Sequence, residues 1–148
     1  MDDLARVRSE INRYCDLYFI CPRFEPSELV TIDDLRQKKR GVPWPNGDEA
    51  GCYVMYSEHG GLLYIGLARH ISARLNQWFR YNKRQDQSAL WTSSAEGNWN
   101  DQPKRLQTIK VNYPYEAPSL EAFLIGQLDP PENIHMKHRS DFAEKFSS

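Results

Sequence analysis

Two charges stand on helical faces that are otherwise apolar, and two phenols meet across a predicted hairpin. Projected at about 100° per residue, Tyr81, Arg74, Trp78, Ile71, Leu75 and Phe79 of residues 71–81 fall in that order across one arc. The same projection of residues 118–128 gives Phe123, Leu120, Leu124, Leu128, Glu121 and Ile125. Arg74 and Glu121 thus each interrupt an apolar face. A buried charge costs several kcal/mol unless it is paired or kept wet in a cleft. Two readings are open: a structural Arg74–Glu121 ion pair at the core edge, or a cavity in which the arginine meets an anion and the carboxylate holds a cation. Residues 51–57 and 62–67 are Tyr-, Val-, Ile- and Leu-rich runs separated by Glu58, His59, Gly60 and Gly61, which reads as a β-hairpin. With Ser57 opposite Leu62, Tyr53 pairs with Gly66 and Met55 with Tyr64, so the two phenols share a face. Gly66 then leaves an open spot beside them of the kind a ligand fills, although a strand glycine can also mark a bulge.

The elements that position these residues follow from periodicity and punctuation. Leu4, Val7, Ile11, Tyr14 and Tyr18 recur at helical spacing, predicting an amphipathic helix over 3–19 that ends before Pro22 and Pro26. A short helix is expected around 32–39, followed by a connection marked by Gly41, Pro43, Pro45 and Gly47. After the hairpin come a helix over 71–81, a polar loop or insertion over 82–103, and a third strand over 106–112. Pro118 fits the first turn of a helix reaching Leu128, and Pro130 and Pro131 stop it. The fold class is α+β, a small central three-stranded antiparallel sheet flanked by helices, behind an N-terminal helical extension.

The 148 residues, 26% charged and 40% hydrophobic, describe a one-domain globular chain. No run approaches the roughly 18 apolar residues of a membrane helix, and the charged N-terminus lacks a secretory signal, so a soluble, cytoplasmic protein without membrane contact is expected. Cys15, Cys21 and Cys52, an odd number with no C-x-x-C spacing, read as buried free thiols. The net charge of −1 hides a basic middle: residues 69–110 hold eight Lys or Arg against three Asp or Glu. Arg69, Arg74, Arg80, Lys83, Arg84, Lys104 and Arg105 lie there, a set able to track phosphates or merely to form a solvated face. Arg36, Lys38, Lys39 and Arg40 form a second basic run, read either as a solvated helix end or as a DNA backbone contact. His135 and His138 have no carboxylate or cysteine partner nearby and argue against a zinc site. Trp91, Trp99, Tyr113 and Tyr115 either fill the core or stack on unpaired bases.

Written out, Gly51-Cys52-Tyr53 is followed after ten residues by Tyr64-Ile65-Gly66, and ten residues beyond Tyr64 stands Arg74. Leu120-Glu121-Ala122-Phe123-Leu124-Ile125 and Pro130-x-x-Asn133 close the pattern. This arrangement resembles the GIY-YIG nuclease family over residues 51–133, and it selects the same two charges that interrupt the helical faces. The resemblance implies a nuclease domain over 46–136 with an insertion at 82–103, preceded by a helical extension over 1–45 and followed by a tail over 137–148. It implies a DNA endonuclease with one divalent metal, Mg²⁺ or Mn²⁺. Glu121 would be the metal ligand, Arg74 the phosphate clamp, Tyr53 and Tyr64 the groups that position or deprotonate water, and Asn133 a supporting residue. Arg69, His70, Arg80, Lys83 and Arg84 would contact nucleic acid.

The chemistry is coherent on its own terms. Phosphodiester hydrolysis builds negative charge on equatorial oxygens, which a cation on a carboxylate and a forked guanidinium stabilise. A free phenol is a poor base at neutrality, so the tyrosines need a neighbouring positive charge. Three positions depart from the family pattern. Cys52 replaces an aliphatic residue, Leu67 stands where some members have lysine, and Trp78 stands where many have histidine or tyrosine. The last of these favours an alternative, a nucleic-acid-binding module of the same fold with impaired cleavage; a purely structural domain held by an Arg74–Glu121 bridge is a third reading. Specificity would come from 1–45, from 82–103, from a homodimer or from a targeting partner. RNA remains open as a substrate.

Overall fold

The computed structural model describes residues 2–36, 41–83 and 89–133. In chain order the elements are α1 (Asp3–Leu17), β1 (Val30–Thr31), α2 (Ile32–Arg36), β2 (Gly51–Tyr56) and β3 (Leu62–Ala68). They continue with α3 (Ile71–Trp78), β4 (Phe79–Lys83), β5 (Ala89–Ser93), β6 (Arg105–Lys110) and α4 (Glu116–Leu128). The fold is α+β. Its main sheet is antiparallel with order β1-β6-β2-β3, so the three expected strands are present and a fourth is added. That fourth strand, β1, is two residues long and therefore too short to show any alternation in sequence.

The central strand β2 is buried along its whole length, and its alternation serves two cores. Cys52, Val54 and Tyr56 pack with Val7 and Ile11 of α1 and with Leu120, Leu124 and Leu128 of α4. Tyr53 and Met55 face the other way, toward Ile71 and Leu75 of α3, Trp44 and Phe79. Burying each such aliphatic side chain is worth about 1.5–3 kcal/mol, so α1 is bound into the first core rather than tethered beside it. Its start is capped by Asp2, whose side chain accepts from the Ala5 amide at 2.7 Å. Asp3 accepts from the Leu62 amide at 2.8 Å and ties α1 to the first residue of β3.

The β2–β3 register places Tyr53 opposite Gly66 and Met55 opposite Tyr64, as the sequence suggests. The expected Ser57–Leu62 pair does not form; Leu62 opposes Tyr56 after an irregularity. Ser57 is instead drawn into the turn, where its amide donates to the Gly61 carbonyl and its hydroxyl accepts from the Gly61 amide. Gly60 closes that turn at φ 90°, a conformation open to glycine.

Two expectations between 71 and 103 need correction. The helix ends at Trp78, because Phe79 is already extended and opens β4. Residues 82–103 are not a plain loop: β4 and β5 pair from Phe79↔Ser93 to Lys83↔Ala89 as a second, two-stranded sheet. Phe79 and Tyr81 fit period 2 as well as period 3.6, and the flanking helix hid the strand reading. Pro118 does lie in the first turn of α4, which begins two residues earlier than expected. Cys15 and Cys52 are buried free thiols, whereas Cys21 is exposed. Among the described residues no helix is long and apolar enough to cross a membrane.

Candidate active site

Tyr53 projects from the middle of the sheet toward α3 and is 0% exposed. Its ring lies directly across Gly66: a Cβ added there would stand 2.3 Å from the Tyr53 Cζ and hydroxyl oxygen. The open spot expected beside the phenols is therefore filled by Tyr53 itself, and Gly66 is what permits the close approach. Tyr64 stacks on Tyr53 at 6.2 Å between centroids. Trp78 at 5.1 Å and Trp99 at 5.3 Å also pack on the Tyr64 ring, which stays partly exposed.

The Tyr53 hydroxyl is held from one helix. Trp78 donates its indole N–H at 2.8 Å and Arg74 donates Nε at 3.4 Å. The two donors are four residues apart and so share a face of α3. A phenol has one proton to give and limited lone pairs to receive with. With two donors on its oxygen, the fully buried Tyr53 hydroxyl also stands in hydrogen-bonding reach of the Tyr64 hydroxyl, which lines the pocket. Arg74 is further fixed by donation to Gln77 Oε1 at 3.0 Å. A pocket of about 310 Å³ lies against this cluster, lined by Tyr64, Arg74, Gln77, Trp78, Arg80 and Ser94. Two arginines give it an electropositive wall suited to an anion.

Glu121 is only 8% exposed on α4. Its carboxylate bears electrostatically on Tyr53, Tyr64, Arg74 and Cys52, which places all of them in one field. Among the described residues the ion pairs do not join Arg74 to Glu121, so the structural-bridge reading is not realised. Burial pushes the Tyr53 phenol up in pKa, against the opposing pull of Arg74 and Trp78. Burial, then the neighbouring Tyr53 and Glu121, push the Tyr64 phenol further up. The hydrogen bond to Tyr53 raises Arg74. At neutral pH the site is thus two neutral phenols, one guanidinium and one buried carboxyl-bearing side chain.

The other sequence candidates fall into distinct places. Asn133 is spent on the backbone: its Oδ1 accepts from the Ile65 amide at 3.0 Å and its Nδ2 donates to the Ile65 carbonyl at 2.8 Å. With the Glu132 amide bonded to the Leu63 carbonyl, it seals the outer edge of β3 on either side of Tyr64. His70 caps α3 by accepting from the Ala73 amide at 3.2 Å, and lies 3.6 Å from Asp48. Arg69 is exposed at the end of β3, Arg80 lines the pocket, and Lys83 belongs to β4. Leu67 packs against the α1 and α4 core. Arg36 is no solvated helix end: it lies 4.6 Å over the Phe79 ring and pairs with Asp33 at 3.7 Å. Arg84, Lys38, Lys39, Arg40, His135, His138 and the 137–148 tail lie outside the described residues. The sequence missed Trp99 as a wall of the site; turns from Ser93 to Trp99 fold it back onto Tyr64, and nothing local signals that contact.

Known proteins share the sequence of this region. The sequence profile described as the UvrC-like GIY-YIG domain matches residues 49–134, more than half of the chain. The UvrABC system protein C of Alcanivorax borkumensis is 37% identical over 87 residues, 59% of this chain and 13% of that protein. The protein of the same name from Borrelia hermsii is 33% identical over 106 residues, 72% of this chain and 15% of that protein. In Anaplasma marginale the identity is 28% over 109 residues, 74% of this chain and 16% of that protein. The chain thus spans 13–16% of the length of these relatives. The matched segment contains β2, β3, α3 and α4 with the five residues of the motif, and the chain belongs to the UvrC-like GIY-YIG family of endonucleases, which are phosphodiester hydrolases.

Proposed function

We propose that the chain cuts DNA in a divalent-metal-dependent reaction, with Tyr53, Tyr64, Arg74 and Glu121 at the reacting centre and Asn133 as a positioning residue. The observation that carries this reading is the doubly held Tyr53 hydroxyl beside an arginine-lined pocket, within the field of a buried glutamate. GIY-YIG nucleases use divalent metal ions. The carboxyl oxygens of the buried Glu121 are of the kind that a hard cation takes. Glu121 would hold Mg²⁺ or Mn²⁺, which when bound supplies charge for the pentacovalent phosphate and a more acidic water. The protein's own groups do the rest. Arg74 takes a non-bridging phosphate oxygen with its guanidinium fork. Tyr53 receives Arg74 and Trp78 on its oxygen and in this reading positions the guanidinium and, through Tyr64, the attacking water. Tyr64, walled by Trp78 and Trp99, orients that water and keeps bulk solvent away.

The finer reading is a nuclease whose target is chosen by a homodimer or a targeting partner, acting in the cytoplasm; the relatives' printed name, a system protein, supports such a division of labour. Arg69, Arg80, Lys83 and Arg84 supply backbone contacts in this reading. Purified wild type and Glu121→Ala are compared on supercoiled, linear and single-stranded DNA, and on RNA, with Mg²⁺, Mn²⁺ or EDTA. Metal-dependent cleavage lost in the variant supports the proposal, and a folded wild type inert on every substrate refutes it. Trp78 favours a second reading, a binding module with impaired cleavage, because an indole N–H donates but does not relay a proton. Tight DNA binding without turnover selects it.

A further inference from the structure

A second surface adjoins the same two elements that carry Tyr64 and Glu121. A groove of about 540 Å³ runs between the end of β3 and the start of α4, lined by Leu67, Arg69, Pro114, Tyr115 and Pro118 among others. That volume is within the range of small-ligand sites, roughly 300–1,000 Å³. Tyr115 forms one wall, and Tyr113 stacks on it at 5.6 Å with the planes 8° apart. Both rings are largely in solvent, 58% and 74% exposed, unlike the aromatics around Tyr64.

This pair is built rather than loose. The Tyr113 amide donates to Glu116 Oε1 at 2.6 Å while the Glu116 amide donates back to the Tyr113 carbonyl at 2.9 Å. On the other side, Asn112 Nδ2 donates to the Pro22 carbonyl at 2.9 Å. Pro114 separates the two tyrosines and removes one backbone freedom. Two exposed, parallel, preorganised rings offer a flat π-surface at low ordering cost. Their occupant is argued from chemistry and place. Flat aromatic faces suit a base, Arg69 at the rim suits its phosphate, and the apolar groove suits a base rather than a sugar or peptide carboxylate. Leu67 is three residues from Tyr64, about 10 Å along a strand. Ala117, which also lines the groove, is one turn from Glu121, about 6 Å along a helix. Leu67 faces the α1 and α4 side of the sheet, opposite to Tyr64, so the groove adjoins the site through the α4 turn that carries Glu121.

We infer that the Tyr113–Tyr115 platform and its groove bind an unpaired nucleobase of the substrate strand, biasing the enzyme toward DNA with a single-stranded or opened segment. This rests on the DNA reading above but not on cleavage. The probe is a short single-stranded oligonucleotide carrying 2-aminopurine, titrated by fluorescence beside a fully paired duplex of the same sequence. Tyr115→Ala should weaken single-strand binding roughly 10-fold or more, Tyr115→Phe should restore it with the base fluorescence quenched, and duplex binding and duplex cleavage should stay at the wild-type level. Thermal melts of both variants report whether the fold is intact. Equal single-strand affinity in Tyr115→Ala overturns the inference. So does a loss that Tyr115→Phe does not restore, a matching loss on duplex, or self-association of wild type that Tyr115→Ala abolishes. A protein that stacks the base but cuts nothing leaves this inference standing and removes the endonuclease reading, whereas one that cuts with identical substrate preference in Tyr115→Ala does the reverse.

Discussion

Tyr53 and Tyr56 stand three residues apart on the same strand, both 0% exposed, yet on opposite faces of the sheet they carry opposite hydrogen-bond polarity. Tyr56, in the α1 and α4 core, gives its proton to Gln107 Oε1, and Gln107 is oriented by its own donation to the Ser27 carbonyl at 3.2 Å. Tyr53, on the α3 face, receives two donors, from Arg74 and Trp78, beside the Tyr64 hydroxyl. Burial alone therefore does not distinguish a structural phenol from a reactive one; the direction of its partners does. The Tyr56 hydroxyl ends in the α1 and α4 core, while the Tyr53 hydroxyl is joined to Arg74, Trp78 and Tyr64, which line a pocket.

The largest effect expected from breaking this contrast is at the two charges that bear on Tyr53. Glu121→Gln and Arg74→Ala should each lower cleavage by about 10²–10³-fold or more, the scale of losing one electrostatic stabiliser of the transition state. Supercoiled-plasmid nicking rates at saturating metal measure this, and melting curves should stay close to wild type for Arg74→Ala because that residue is exposed.

Next come the two tyrosines themselves, tested as a crossed pair. Tyr53→Phe should cost about 10²-fold in cleavage with little change in melting, because water can reach Arg74 and Trp78 from the pocket. Tyr56→Phe should do the opposite: cleavage per folded molecule is kept, while stability falls by about 1–3 kcal/mol because a buried Gln107 oxygen loses its donor. Denaturant melts and single-turnover cleavage on both variants decide it; equal effects of the two substitutions would remove the distinction. Gly66→Ala sharpens the same point. Its new Cβ meets the Tyr53 ring, so about 1–3 kcal/mol of overpacking cost should accompany a loss of cleavage similar to that of Tyr53→Phe. Smaller still, Trp78→Phe keeps the ring wall but removes the 2.8 Å donor and should slow cleavage by up to about 10-fold. Trp78→His, which retains an N–H, should lose less.

What could be read in advance follows the same division. Tyr53, Tyr64 and Gly66 were legible because hairpin register and period-2 alternation are local, and Glu121 because a carboxylate in an apolar arc violates a periodic pattern. Arg74 was legible for the same reason, although the arc that framed it borrowed Phe79 and Tyr81 from a strand. The filled space over Gly66 was not legible, since an absent side chain on one strand does not say which ring will occupy it. Trp78 was visible only as a departure; that it supplies a hydrogen bond depends on how far α3 stands from β2, a tertiary distance. Trp99 and the Asn133 clamp on Ile65 depend on chain returns of 35 and 68 residues, counted from Tyr64 and Ile65 respectively, which no window of sequence contains. β1 was missed because two residues have no period.

The smallest effect concerns the inert face and how it is latched. Asp3 accepts from the Leu62 amide at 2.8 Å and from Arg6 at 2.7 Å; the backbone bond foremost, opposed by burial and assisted by Arg6, holds its carboxyl below the ordinary value of 3.8. A depressed folded-state value means that the unfolded chain binds the proton more readily, so stability from this latch is complete above the ordinary value and is lost as pH falls from about that value through the folded one. Asp3 is half-buried with its partner Arg6 exposed, so screening keeps the contribution modest. Wild type should therefore melt slightly above Asp3→Asn at pH 7, and the two curves should converge as the buffer is taken below about pH 4. Cleavage per folded molecule should be unchanged at pH 7, because the latch serves α1 and the turn end of β3, far along the strand from the Tyr53 hydroxyl. A gap in melting temperature that persists unchanged at low pH would show that the carboxylate's charge is irrelevant and that shape alone holds α1 to the sheet.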